Sequence, residues 1–188
     1  MSSSHEVPDI FHRLLGRRVV FIRSPLDGVA ADLIIAQLLH LESQDPTAGI
    51  TVRINCAQAE LAAALAVYDI LQTLQAPVGT LCSGTAAGGA ALLLAAGQPG
   101  RRLSLPSGRI LLQHPRGKFY GSSRELDAQS AALRRLCRQM NELLARHTGQ
   151  PLERIERDTE HGLWLSAEEA CAYGLIDRVI ARESGPAI

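Results

Sequence analysis

One stretch of the chain, residues 76–97, has the composition of a site that holds a reacting group. It predicts an apolar strand over residues 78–82, a turn at Ser83 and Gly84, and a helix start over residues 85–91 built almost entirely from small side chains. Small residues let the backbone approach a ligand closely, and the first turn of a helix offers N–H groups that lack intrahelical partners. Hydrolytic α/β folds mount a nucleophile on such a unit. This unit carries no nucleophile at that place.

Four other side chains are alternative nucleophiles. Ser83 and Thr85 lie near the predicted turn, but neither has an evident base, and Ser83 is well placed to cap the helix. Cys56 and Cys82 stand within apolar patterns, which predict burial rather than attack on a substrate. We therefore expect structural roles for all four.

The composition is typical of one globular domain over residues 1–188. Hydrophobic residues make up 46% of the chain, and 19 Lys and Arg balance 19 Asp and Glu, so neither nucleic acid nor an anionic membrane is an expected partner. No apolar run reaches the roughly 18 residues of a membrane span, and the polar start does not resemble a signal peptide. We therefore expect a cytoplasmic protein. The four cysteines (Cys56, Cys82, Cys137 and Cys171) lack metal-binding spacing, so neither a metal nor a cofactor is expected.

Strand and helix patterns alternate along the first two thirds of the chain, which favours a largely parallel sheet covered by helices. The predicted helices span residues 10–15, 27–43 and 61–74, and the predicted strands span residues 18–22, 50–55, 78–82 and 109–113. Residues 1–9 are expected to be disordered.

The last third of the chain predicts a long helix. A capping box of Ser122 and Glu125 opens it, and the helix runs to His147. At about 25 residues, with a row of leucines, it should project from the domain and find a partner. Three further elements are predicted: a helix over residues 152–157, a helix capped by Ser166 and Glu169, and a strand over residues 175–180.

Ordered segments over about residues 9–181 resemble the proteolytic subunit of the Clp protease, a serine peptidase of the crotonase-like superfold. They are DIFHRLL, AADLIIAQLLHLE, AVYDILQ, LLLAAG, MNELLARHTGQPLERIERDTE and LSAEEACAYGLIDRVI. The resemblance implies an α/β fold of stacked ββα units with a protruding helical handle at about residues 116–150. It also implies seven-membered rings, two of which stack handle to handle around a proteolytic chamber.

The resemblance places the catalytic triad at positions that have lost their functional groups. The family's nucleophilic Ser in G-x-A-S-x-G aligns with Gly88, within GTAAGGAA. Its basic His, which precedes Q-P, aligns with Gln113, and its Asp, which follows D-T-x-R, aligns with Gly162. Neighbouring side chains of a strand point to opposite faces, so His114 is expected on the wrong side of the sheet, as a surface or interface histidine.

The resemblance also assigns the other functional positions. The oxyanion-hole donors align with Ala59 and Gly89, and Ala59 stands where the family has a glycine. The clefts that dock the family's ATPase are lined by aromatic residues, whereas this chain has Thr51, Arg53, Thr73 and Leu103, which predicts weaker docking unless these positions simply tolerate variation. The ring-on-ring contact maps to Arg116, Gly117, Lys118, Phe119, Tyr120 and His161. A histidine in place of the usual arginine predicts a contact that is weaker or sensitive to pH.

These residues together predict a catalytically inactive subunit of the Clp protease complex. It would form rings alone or with an active paralogue and have a structural or regulatory role. Two alternatives stay open: a divergent hydrolase that uses Ser83, Thr85 or a cysteine, and an acyl-thioester-binding protein of the crotonase-like superfold.

Overall fold

The centre of the sheet follows from the hydrophobic pattern of two strands. In the computed structural model, which describes residues 10–115 and 121–180, every second residue of Ile50–Cys56 is buried, so one face of this strand meets the core. The neighbouring strand, Val78–Ala87, is buried over most of its length. A strand at the centre of a parallel sheet is covered on both sides, so its burial does not alternate from residue to residue.

Seven helices and seven strands form within the described residues. The helices are α1 (Ile10–Leu15), α2 (Gly28–Gln44), α3 (Leu61–Thr73), α4 (Gly89–Ala95), α5 (Ser123–Thr148), α6 (Leu152–His161) and α7 (Ala167–Tyr173). The strands are β1 (Val19–Arg23), β2 (Ile50–Cys56), β3 (Val78–Ala87), β4 (Arg102–Ser104), β5 (Arg109–Leu112), β6 (Leu163–Ser166) and β7 (Arg178–Val179). Residues 1–9, for which the sequence predicts disorder, lie outside the described residues.

The sheet is largely parallel, as the alternation of strand and helix predicts. Strands β1, β2, β3, β4 and β7 lie in that order and pair in parallel. Strand β5 pairs in parallel with the second half of β3, and β6 runs antiparallel beside β5. The α/β fold class is therefore confirmed.

Several predicted boundaries hold and others change. The carboxylate of Asp27 accepts the N–H of Ala30 at 2.9 Å, so α2 begins directly after a capping Asp. The helix predicted over residues 152–157 continues to His161, and the strand predicted over residues 175–180 contains only Arg178–Val179. Strands β4 and β6, which have three and four residues, are not predicted from the sequence.

The long helix α5 is anchored to the domain by its C-terminal half. The capping box of Ser122 and Glu125 opens it, and Gly149 closes it in the left-handed conformation at φ +73°. Its buried side chains begin at Met140, and none of residues 124–139 is buried. The N-terminal half therefore has little cover within the described chain.

The guanidinium group of one arginine connects strand β4 to the C-terminal ends of helices α5 and α7. Arg102 on β4 forms a salt bridge to Asp177 at 2.6 Å and donates to the carbonyl oxygens of His147 and Gly174, each at 2.9 Å. These carbonyls lie at the C-terminal ends of α5 and α7, where backbone acceptors lack helical partners. One side chain thus fixes both helix ends to the sheet.

The end of α5 also holds a half-buried imidazole. His147 Nε2 lies 2.9 Å from the Tyr68 hydroxyl on α3. Burial, together with the charges of Arg102 and Arg146, lowers the pKa of His147. The folded protein therefore takes up a proton here less readily than the unfolded chain does.

We predict that His147 makes the protein less stable in mild acid. As the pH falls below about 6.5, the unfolded chain gains this proton first, so the free energy of unfolding falls until the folded-state pKa is passed. His147→Gln, whose amide can still bond Tyr68, should show a smaller loss between pH 8 and pH 5 in urea unfolding. Tyr68→Phe keeps the buried imidazole and should keep the wild-type pH dependence. Equal pH dependence of the wild type and His147→Gln would contradict this.

Candidate functional site

The strand that leads to the site is longer than the sequence predicts. Residues 83–87 continue β3, so the predicted turn at Ser83 and Gly84 is wrong. The reason is a bulge: the register of β2 against β3 shifts between Ile54 and Cys56, and the side chain of Asn55 fills the gap. Its Oδ1 accepts the N–H of Thr85 at 3.1 Å, and Gly84 leaves room for it, since a Cβ at Gly84 would overlap Asn55.

The bulge moves β3 from one partner strand to another. Thr80–Cys82 pair with β4, whereas Thr85–Ala87 pair with β5. The small side chains that predict a helix start therefore belong to a strand that passes between two neighbours. Helix α4 begins only at Gly89, and Ser83 is not its cap.

The turn itself is formed by Gly88. It has φ +54° and ψ −118°, a conformation that strongly favours glycine. Its N–H donates to the Leu111 carbonyl at 2.9 Å, and a Cβ at this position would lie 3.4 Å from the Gln113 carbonyl oxygen. In α/β hydrolases the nucleophile stands on such a sharp strand-to-helix turn. Here the turn is present and carries no side chain.

The turn opens onto a cleft of about 780 Å³. The cleft lies at the carboxyl ends of parallel strands, where open α/β sheets bind their ligands. Its described lining contains no Ser, Thr, Cys or Lys, and its titratable groups are Asp27, Glu60 and His114. The remaining lining residues are Pro25, Leu26, Ala57, Gln58, Ala59, Leu61, Ala62, Ala87, Gly88, Gly89, Gln113, Pro115, Leu133 and Leu136. The described wall therefore offers no hydroxyl or thiol nucleophile.

The structure brings Gly88 and Gln113 together, and Gly162 lies at the junction of α6 and β6. Gly88 contacts the end of β5 through its hydrogen bond to Leu111, and it lies close to the Gln113 carbonyl oxygen. Leu112 pairs with Leu163 at the last position of the β5–β6 ladder, so Gly162 lies at the end of β5 that leads to Gln113. Gly162 ends α6 at φ +81°, and its N–H donates to the Asp158 carbonyl at 3.1 Å. It does not line the cleft.

The prediction that His114 is a surface or interface histidine on the opposite face of the sheet from Gln113 is wrong. Strand β5 ends at Leu112, so strand alternation does not extend to residue 114, and His114 borders the same cleft as Gln113. Its Nε2 lies 3.2 Å from Asn141 Nδ2 and 3.1 Å from Thr159 Oγ1. The half-buried imidazole therefore joins β5 to α5 and α6.

The partners of His114 form a polar cluster that the sequence analysis missed. Asn141 and Thr159 are 2% and 1% exposed, and the Thr159 hydroxyl lies 3.2 Å from Asn141 Oδ1 and 2.7 Å from the Ile155 carbonyl. The available signal was a polar residue on the apolar face of each helix. All the buried side-chain polar atoms among the described residues have hydrogen-bond partners.

The four alternative nucleophiles lie away from the cleft. Cys56 and Cys82 are fully buried, and burial raises the pKa of the Cys82 thiol, which disfavours the reactive thiolate. Ser83 and Thr85 are half-buried within β3, and the Ser83 hydroxyl lies 3.5 Å from the Ile54 carbonyl. None of the four borders the cleft.

The two positions aligned with oxyanion donors are neighbours. A Cβ on Gly89 would lie 3.5 Å from the Cβ of Ala59, and both residues line the cleft. The same Cβ would lie 2.6 Å from the Cβ of Ala64, so α3 and α4 approach too closely for any other residue at position 89. Helix packing alone is a sufficient reason for this glycine.

The positions aligned with the ATPase-docking cleft lie on the outer side of the sheet and at a helix end. Thr51, Arg53 and Thr73 are exposed, and Leu103 is half-buried. Arg53 and Leu103 both pair with Leu81, so they flank β3 in one row. His161 is exposed at the end of α6, and residues 116–120 lie outside the described residues.

Residues 2–183 match the Clp protease family, so the chain belongs to that family. The mixed sheet, the seven helices of the described residues and the helical handle agree with its fold. Within the described residues, no group of three or more His, Cys, Asp or Glu could hold a metal ion. None of the described helices has the length and apolar character needed to cross a membrane.

We predict that any side chain at Gly88 strains the turn. Gly88→Ala should lower the free energy of unfolding by about 1–2 kcal/mol, because alanine rarely adopts this positive φ and its Cβ would meet the Gln113 carbonyl. Urea denaturation measures the change. Gly28→Ala is the matched control, since a Cβ there meets nothing within 4 Å and α2 gains helix propensity. A Gly88→Ala protein as stable as wild type would mean that the turn is not constrained in this way.

Proposed function

We propose that this chain is a catalytically inactive subunit of a Clp protease complex. One observation carries the proposal: the turn that mounts a nucleophile in hydrolytic α/β folds holds Gly88, which has no side chain. Family membership supports the subunit, and the glycine argues against peptidase activity. The chain then serves the complex as a structural or regulatory component, in rings alone or with an active paralogue, in the cytoplasm.

The rest of the triad cannot compensate for the missing nucleophile. The Gln113 amide does not accept a proton as an imidazole does, and Gly162 has no carboxylate to orient a base. His114 supplies the imidazole at the cleft, and its Nε2 already makes hydrogen bonds with Asn141 on α5 and Thr159 on α6. Loss of a whole triad costs on the order of 10⁶ in turnover in a well-studied serine protease.

The residues at the positions aligned with the ATPase-docking cleft support the proposal that an ATPase binds this chain weakly. Arg53 is charged and Thr51 is polar at positions where the family uses aromatic residues, and both are exposed. Aromatic side chains contribute large apolar areas to an interface, so their absence removes affinity. An active paralogue in the same ring would supply the docking site.

We predict that the purified protein neither cleaves peptides nor reacts with a fluorophosphonate probe. Gly88→Ser should also be inactive, because the base and the orienting acid remain absent and triad members act as a unit. An active member of the family, assayed with the same fluorogenic peptide, is the positive control. Labelling of the wild type would instead favour the divergent hydrolase, and turnover by Gly88→Ser alone would show that Gln113 and Gly162 are not disabling.

We predict that the protein assembles and co-purifies with an active Clp peptidase of the same cell. In an isolated chain, none of residues 124–139 of the 26-residue helix α5 is buried, which favours burial against another subunit. Analytical ultracentrifugation across about pH 6 to 8, alone and with the active paralogue, measures the assembly and the predicted sensitivity of ring stacking at His161. A protein that stays monomeric under all these conditions would remove the subunit role.

A further inference from the structure

The strands of the sheet carry positive charge and no negative charge. None of the seven described strands contains Asp or Glu. Four of their arginines are exposed: Arg23, Arg53, Arg109 and Arg178. Within residues 10–115 and 121–180, the arginines that form salt bridges are others, so these four have no carboxylate partner there.

Two of the four arginines belong to one row of residues that crosses the sheet. Leu81 on β3 pairs with Arg53 on β2 and with Leu103 on β4. Leu103 in turn pairs with Arg178 on β7. Neighbouring strands lie about 4.8 Å apart, so three steps separate the backbones of the two arginines by about 14 Å. This arginine–leucine row has a cation at each end and two leucines between them.

The arginine–leucine row faces away from the buried side of the sheet. Burial alternates along β2, where Val52 and Ile54 are buried and Arg53 between them is exposed. Arg178 is also exposed and Leu103 is half-buried, whereas Leu81 is only 5% exposed. A ligand on this row would therefore contact mainly the two cations and the Leu103 side chain.

The carboxylate that comes next to the row along the chain is already engaged. Asp177 precedes Arg178, and its carboxylate forms the 2.6 Å salt bridge with Arg102. The backbone N–H of Arg102 also donates to Asp177 Oδ2 at 2.8 Å. This acid therefore serves the attachment of the helix ends and leaves the charge of the row available to a ligand.

The aromatic rings on the strands and on α1 argue against nucleic acid as that ligand. Proteins that bind single strands without reading their sequence stack the bases on aromatic rings. The Arg23 guanidinium lies 4.6 Å from the centroid of the Phe11 ring, and that of Arg109 lies 5.5 Å from the centroid of the Trp164 ring. Each of these rings thus already stacks with a cation, and the arginine–leucine row itself contains no aromatic residue.

We propose that the arginine–leucine row binds an extended acidic segment of a protein partner. The segment has carboxylates four residues apart and an apolar residue midway between them. An extended chain advances about 3.3 Å per residue, so the two carboxylates lie about 13 Å apart and match Arg53 and Arg178. The middle side chain points the same way as the two acids, because successive side chains alternate, and it packs on the leucines of the row.

This inference goes beyond the proposed function and does not rest on the loss of peptidase activity. Arg53 and Leu103 are also positions aligned with the ATPase-docking cleft, so the proposal assigns a different kind of partner to that face. Ion pairs between exposed side chains are individually weak and are screened by salt. The acidic segment should therefore bind at low ionic strength and dissociate at high ionic strength.

Fluorescence anisotropy of a labelled peptide that contains Asp-Ser-Leu-Ser-Asp tests the contact at about 0.1 M and about 1 M salt, where the screening length falls roughly from 10 Å to 3 Å. The full chain should bind this peptide at the lower salt concentration. Arg53→Glu with Arg178→Glu should weaken binding about tenfold or more, since like charges then face each other. The peptide Asp-Leu-Ser-Ser-Asp should also bind more weakly, because its leucine points away from the row.

Arg134→Glu with Arg138→Glu is the matched control, with the same charge change on two exposed residues of α5. It should bind the peptide like the wild type, and circular dichroism should show that every variant is folded. A wild type that does not bind, unchanged binding by the Arg53 and Arg178 variant, or equal binding of a peptide with Asn in place of both Asp would each overturn the contact.

Two other probes test the class of the partner. Tighter binding of oligothymidylate, or of vesicles of phosphatidylcholine and phosphatidylserine, with the same dependence on Arg53 and Arg178 would overturn the protein segment as the occupant. Weaker binding of both probes than of the acidic peptide is the expected result. Peptide cleavage by the wild type would instead overturn the proposed inactivity and leave the contact intact.

Discussion

The hydrogen bond from the Gly88 N–H to the Leu111 carbonyl holds the turn on which the candidate site is built. It fixes the end of β3 against β5, where the chain reverses sharply into the buried helix α4. Gly88 and Gly89 line the cleft at this point, and Gly89 allows the close approach of α4 to α3. Backbone contacts thus form the kind of turn that carries a nucleophile in hydrolytic folds, with a glycine at its apex.

Much of the fold can be predicted from the sequence because its signals are local. The capping residues Ser122 and Ser166 mark helix starts, and the alternation over β2 reveals a strand with one covered face. The extension of β3 is missed because its cause is not local. Asn55, on the neighbouring strand, supplies the side chain that turns Ser83, Gly84 and Thr85 into a bulge.

Only part of the candidate site can be predicted from the sequence. A motif aligned by family resemblance identifies Gly88 and Gln113, and the two residues lie in contact. The cluster of His114, Asn141 and Thr159 is not predicted, because its members come from three separate elements and each looks unremarkable in its own segment. Strand alternation also misleads for His114, since the strand ends two residues earlier.

The positive φ of Gly88 has an evolutionary consequence. A glycine avoids the strain that any residue with a Cβ carries at this turn. Any substitution that installs a side chain here, a serine included, has to offset that strain before it can be retained. If the chain is inactive as proposed, no catalytic gain offsets the strain, and selection for stability alone then keeps the glycine in place.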